Sequence, residues 1–294
     1  MENSILFAKV KGINTSDSIF NISVISTDKE EVNVKTADIK GIEIGRIYKF
    51  EIEEKDSKKY IKSFKKTSEL EDIKEIDYVF RSFNNQNPYS LNELKDGIYA
   101  YVTQIKNEII FRIVKDLLKI NERKFFTYPA AQKLHHAHIG GLAYHTLSML
   151  NLAKGFVKAY PTLSKDYLYA GIILHDIGKI KEFDGIEGTQ YTTEGQLIGH
   201  LVIGSFDIDE TAKKFGYENS EEVLVLKHMV LAHHGQPQYG AVKKPATAEA
   251  LVLWYIDSID SKLVVINGEL DQIEAGEFTD QIMVSERTKF YKHK

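Results

Sequence analysis

His175 and Asp176 stand side by side in the run His175-Asp176-Ile177-Gly178-Lys179, directly after the apolar stretch from Tyr169 to Leu174. An imidazole and a carboxylate so placed can bind one metal ion, or two ions that share the carboxylate. Four other segments offer the same chemistry, centred on His145, His200, His233-His234 and Asp257. Helical spacing puts each of them on an apolar face. Leu142, His145, Met149, Leu152 and Phe156 step by three or four. Leu168 and Ile172 lead to His175 and Asp176. Leu197, His200, Leu201 and Gly204 fall together, Leu226 and Val230 lead to His233 and His234, and Ala250, Leu253, Trp254 and Asp257 share a face. A single His on an apolar face is usually a core residue bonded to a carbonyl. Several buried ionisable groups together need a common partner, because buried charge is normally paired or metal-bound.

A metal centre supplies that partner. The chain has no cysteine, so any transition metal must be held by imidazole and carboxylate. That donor set suits Mn, Fe, Co, Ni or Zn, and Mg less well where imidazole dominates. Seven ligands exceed the needs of one ion with an open position, so two ions bridged by Asp176 and a water or hydroxide are expected, about 3.5–4 Å apart as in other two-metal sites. His145, His175, Asp176 and Asp257 are assigned to one ion, and Asp176, His200, His233 and His234 to the other. Lys179 either faces a helix C-terminus or neutralises a phosphate oxygen. Its place beside the metal pair favours the second role. His135, His136 and His138, in the run KLHHAHIGG, either line the substrate path, or donate hydrogen bonds to the metal-binding groups from outside, or simply form a polar loop before a helix.

Two textures of sequence position these groups. Residues 1–68 read as five short strands at 4–11, 18–26, 32–36, 46–54 and 58–65, with a break expected at Gly12-Ile13-Asn14 and a longer connection before the fourth strand. This pattern suggests a small OB-type β-barrel. Residues 69–90 read as a connecting segment, with a helix over 69–83 and an Asn-rich loop. From 91 to 267 the pattern is helical, with helices expected at 91–120, 139–160, 165–177, 193–215, 220–233 and 246–265. The tail, 268–294, is mixed. The expected fold class is therefore a multidomain α and β protein, a barrel followed by an all-α bundle.

The net charge of −4 argues against gripping duplex DNA by bulk charge. The opening residues lack the apolar core of a signal peptide, and no run approaches the ~20 apolar residues of a membrane span. A soluble, cytoplasmic protein is expected.

The spacing from His145 to Asp257 resembles that of the HD-domain metal-dependent phosphohydrolases. The runs PAAQKLHHAHIGGLAYHTLSML, ILHDIGK and AHHG, with the closing FTDQIMVSERTKFYK, resemble more narrowly the YhaM family, in which an OB-fold precedes the HD domain. That likeness implies a manganese-type divalent ion and stepwise 3′→5′ release of nucleoside 5′-monophosphates from single-stranded RNA, with single-stranded DNA a further candidate. It carries the family's ligands onto the seven residues named above. Tyr144 stands where an acidic residue is expected, but it is not at a ligand position. The barrel would hold the strand through Phe7, Lys9 and Lys11 and through Tyr60, Lys62, Phe64 and Lys66; alternatively these aromatics are core and the lysines a solvated face. A homo-oligomer is open. Competing readings are an HD phosphohydrolase of small nucleotides and a strand-binding regulator with a disused HD domain. No general acid is identified.

Overall fold

A computed structural model describes residues 3–16, 19–83, 88–131, 138–186 and 190–294. The chain divides into two compact units, Met1–Ser90 and Leu91–Lys294.

The first unit is a closed five-stranded barrel. Strands β1 (Asn3–Ser16), β2 (Ile19–Ser26), β3 (Glu31–Thr36), β4 (Ile47–Lys55) and β5 (Lys58–Lys66) pair in the order β1-β2-β3-β5-β4, and β1 closes on β4. The β3–β5 pair is parallel and the others are antiparallel. Alternate residues fill the interior: Ala8, Val10, Ile22, Val24, Tyr48, Phe50 and Ile52. The expected break at Gly12-Ile13-Asn14 is absent. β1 continues to Ser16 through a β-bulge between Val10 and Gly12. The bulge bends the strand, so its first half pairs with β4 and its second half with β2. Helix α1 (Ile73–Phe83) is shorter than the expected 69–83, because Thr67–Glu69 forms a separate 3-10 turn. Its apolar face, Ile76, Val79 and Phe80, is buried.

The second unit is helical. The expected helix over 91–120 is two helices, α2 (Leu91–Val102) and α3 (Glu108–Ile120). Asn107 caps α3 by accepting a hydrogen bond from the Ile110 amide, and the Asp166 carboxylate accepts from the Lys106 and Asn107 amides. These bonds satisfy a turn where periodicity alone shows a continuous stripe. After α4 (Glu122–Thr127) come α5 (Gly141–Ala159) and α6 (Lys165–Leu174). α6 is apolar all round and buried from Leu168 to Leu174, packed against α3, α5, α10 (Glu221–Ala232) and α11 (Ala248–Leu270). α7 (Lys179–Glu182) follows a turn at residues 175–178.

The expected helix over 193–215 is also broken. α8 (Thr193–Leu197) and α9 (His200–Phe215) are separated at Gly199, which has φ +79°. Leu197 is consequently 79% exposed and does not share a face with His200. Leu152 likewise faces outward on α5, where Ala153 takes the buried position. Among the described residues no helix is long and apolar enough to cross a membrane.

Candidate metal centre

Each polar group arrives at the end or on the inner face of a packed helix. His175 and Asp176 form the turn that ends α6, His233 ends α10, and His200 opens α9. His145 lies one turn into α5, and Asp257 lies midway along α11. Two glycines let the backbones meet. A Cβ on Gly178 would lie 2.2 Å from the His200 carbonyl oxygen, and one on Gly204 would lie 3.3 Å from the Ile177 side chain. Gly178 has φ −63°, so what it supplies is space rather than an unusual conformation. That close approach brings the His200 Nε2 to 3.5 Å from Asp176 Oδ1.

The imidazoles are held in one orientation. His175 Nδ1 donates to the Ile172 carbonyl and His233 Nδ1 to the Val230 carbonyl, both at 2.7 Å. A carbonyl can only accept, so Nδ1 carries a proton and Nε2 is the ring atom turned inward. His200 Nδ1 lies 3.0 Å from Glu182 Oε1, which also accepts from the His200 amide. His145 Nδ1 lies 2.7 Å from Asp260 Oδ2, and Ser148 donates to the other Asp260 oxygen. These outer carboxylates orient the rings.

Inward, the donors cluster. Asp176 lies 3.2 Å from His175 Nε2 and 3.6 Å from His233 Nε2, and Asp257 lies 3.2 Å from His145 Nε2. The His233 and His234 ring centres are 4.4 Å apart, and those of His200 and His234 are 5.3 Å apart. Two sets of donor atoms each fall within 4.8 Å: His145, His175 and Asp176 in one, and His200, His233 and His234 in the other. Buried His175 Nε2, Asp176 Oδ1, His200 Nε2 and His234 Nδ1 have no hydrogen-bond partner among the described residues. Leaving such atoms unsatisfied costs about 1–3 kcal/mol each. Imidazole nitrogens and carboxylate oxygens so arranged fit divalent transition ions.

The electrostatics agree with a site prepared for cations. Burial opposes the charge on Asp176, but His175, Lys179 and His200 outweigh it and hold the carboxyl well below its usual range. Burial likewise opposes the Asp257 charge, and His145 overrides it, so this carboxyl is also depressed. Burial, reinforced by neighbouring imidazoles, lowers the pKa of His233 and His234 and keeps them neutral. His145 behaves differently. Burial works against its charge, yet the hydrogen bonds to Asp257 and Asp260 raise it to about 10. Lys179 donates to Asp176 at 2.7 Å and to the Ala130 carbonyl at 2.6 Å, so its ammonium braces the carboxylate.

The chain matches the HD domain family model over residues 142–262. It is 41% identical over 232 residues to the 3'-5' exoribonuclease YhaM of Bacillus subtilis, covering 79% of this chain and 72% of that protein. The chain belongs to the YhaM family. A Geobacillus YhaM is 46% identical over 205 residues, covering 70% of this chain and 63% of that protein. No solved structure matches. The helical unit is thus the HD part of a YhaM-type hydrolase, and the HD domain implies dependence on a divalent metal.

Asp260, Glu182 and Ser148 did not emerge from sequence, although Asp260 follows Asp257 by one helical turn, which is a usable signal. His138 lies just before α5 with its ring 6.3 Å from that of Tyr144, and it belongs to neither donor set. His135 and His136 lie outside the described residues. In the barrel, the alternation Tyr60, Lys62, Phe64, Lys66 is interrupted. Ile61 pairs with Ile52 and Ser63 with Glu51, which leaves Lys62 at a bulge. Phe64 turns inward against Tyr48 and Phe50, with ring centres 5.5 and 6.5 Å away, while Lys62 stays exposed. Phe7 meets Tyr78 of α1 edge-on and carries the Lys49 ammonium over its ring, and Lys9 is exposed.

Proposed function

We propose that this chain is a metal-dependent 3′-5′ exoribonuclease that shortens single-stranded RNA to nucleoside 5′-monophosphates. The observation that carries this reading is the set of buried His and Asp atoms that have no hydrogen-bond partner among the described residues, in a chain of the YhaM family. His145, His175, Asp176 and Asp257 would hold one divalent ion, and Asp176, His200, His233 and His234 a second, with manganese the expected metal. When bound, such ions supply Lewis acidity toward phosphoryl oxygens and activate water.

The protein's own groups do the rest. Asp176 presents both oxygens, fixed by Lys179 from behind. Lys179 keeps its proton: burial opposes that charge, but Asp176 raises the ammonium pKa. It therefore places fixed positive charge beside the phosphoryl group. Glu182 and Asp260 hold the His200 and His145 rings in register. The burial of His175 and His233 lowers the local dielectric and strengthens each of these interactions. Lys9 and Lys62, exposed on the barrel, would contact the phosphates of the RNA strand.

The deciding experiment incubates purified protein and Mn with RNA and DNA labelled at the 3′ or the 5′ end. The expected result is a ladder from the 5′-labelled RNA and immediate release of mononucleotide from the 3′-labelled RNA. Activity confined to free mononucleotides would overturn the reading.

A further inference from the structure

α11 carries a second surface on the side away from its metal-site residues. Leu251, Tyr255, Ile259 and Leu263 follow at intervals of four and are 43, 50, 41 and 48% exposed. Their buried counterparts, Ala250, Leu253, Ile256 and Asp260, face the core. An exposed stripe of this length, about 18 Å over twelve residues, has no reason to be apolar on a free helix. It borders an open groove of about 370 Å³ lined by Ile259, Lys262, Leu263, Ile266, Ser285 and Phe290. The C-terminal tail forms the far wall, where an isolated bridge joins Ile282 to Thr288. That turn holds Glu286 and Arg287 at φ +56° and +61°, and its Met283 is 70% exposed. The buried Ser285 Oγ has no hydrogen-bond partner among the described residues.

We propose that this face is the contact between two copies of the chain. The charges select that occupant. The groove has one cation, Lys262, and one anion, Glu286. Neither forms an ion pair among the described residues. Nucleic acid or an anionic lipid surface would require several cations and no acid here. An isologous contact needs one patch that complements itself, and a patch with one charge of each sign does so across a two-fold axis. Lys262 of each copy then meets Glu286 of the other, and the two apolar stripes pack together. Continuous exposed apolar surface of this kind marks protein interfaces.

The test is the solution mass of the full chain by light scattering at ~50 µM, with circular dichroism to verify folding. Wild type is expected at no less than twice the chain mass of 33.5 kDa, and Leu263→Arg at half the wild-type mass. Lys262→Glu and Glu286→Lys, both exposed changes, should each weaken association about tenfold. The double charge swap should restore it, which happens only if the partner is a second copy. A monomeric wild type, or an assembly that none of these variants alters, overturns the proposal. RNA hydrolysis measured alongside separates this outcome from failure of the nuclease reading.

Discussion

The two units bury polar groups in opposite ways. In the barrel the interior Tyr48 hydroxyl both accepts from the Glu43 amide and donates to the Gly41 carbonyl, and the residues around it are apolar. In the helical unit His175, Asp176, His200 and His234 each bury an atom that finds no partner among the described residues. A fold selected only for stability resembles the barrel. The helical interior spends stability on unsatisfied donor atoms, which is sensible only where a cation completes them.

The sharpest way to break this contrast is Asp176→Asn. It removes the carboxylate that lies within 3.6 Å of the His175, His200 and His233 Nε2 atoms alike, and turnover should fall on the order of 10³-fold. Elemental analysis should show metal loss. Near-normal activity with full metal content would mean that the buried donors are structural after all. Next come the supporting carboxylates. Asp260→Asn and Glu182→Gln should weaken metal affinity about 10–100-fold while leaving the helices intact, as read by metal titration and circular dichroism.

The raised pKa of His145, about 10, gives a third expectation. Near pH 7 the metal-free ring is protonated, and a ligand nitrogen must give up that proton. Metal binding should therefore release about one proton and tighten as pH rises toward 10. Calorimetry in buffers of different ionisation enthalpy would register it, and binding with no buffer dependence would contradict the assignment.

Smaller effects sharpen the comparison at glycines. Gly178→Ala drives a methyl to within 2.2 Å of the His200 carbonyl and should destabilise the helical unit by about 1–3 kcal/mol. Gly12→Ala, at the barrel bulge, meets nothing within 4 Å and should stay within about 0.5 kcal/mol. Thermal melting distinguishes the two. The smallest change is expected from Lys62→Glu, which should weaken RNA binding uniformly across sequences and lower its salt dependence by about one unit of slope. Unchanged binding would remove Lys62 from the strand path.

Much of this was legible in the chain itself. Alternation defined five strands and three- and four-residue steps defined the helices, because burial imposes its period directly on sequence. The same steps singled out His145, His175 and Asp176, since a polar group on an apolar face is conspicuous. Periodicity failed where a stripe crosses a break. It ran 91–120 and 193–215 together, because the Asn107 cap, its Asp166 partner and Gly199 interrupt the backbone without interrupting the pattern. It also aligned Phe64 with Tyr60, because a bulge at Lys62 shifts the register by one.

The sequence by itself determined which residue types are present to bind metal and that the barrel precedes the bundle. Tertiary structure alone decided that Asp260 backs His145, that Glu182 backs His200, and that Gly178 admits the His200 backbone. These are contacts between residues far apart in the chain or on different elements, and they depend on distances that no local period encodes.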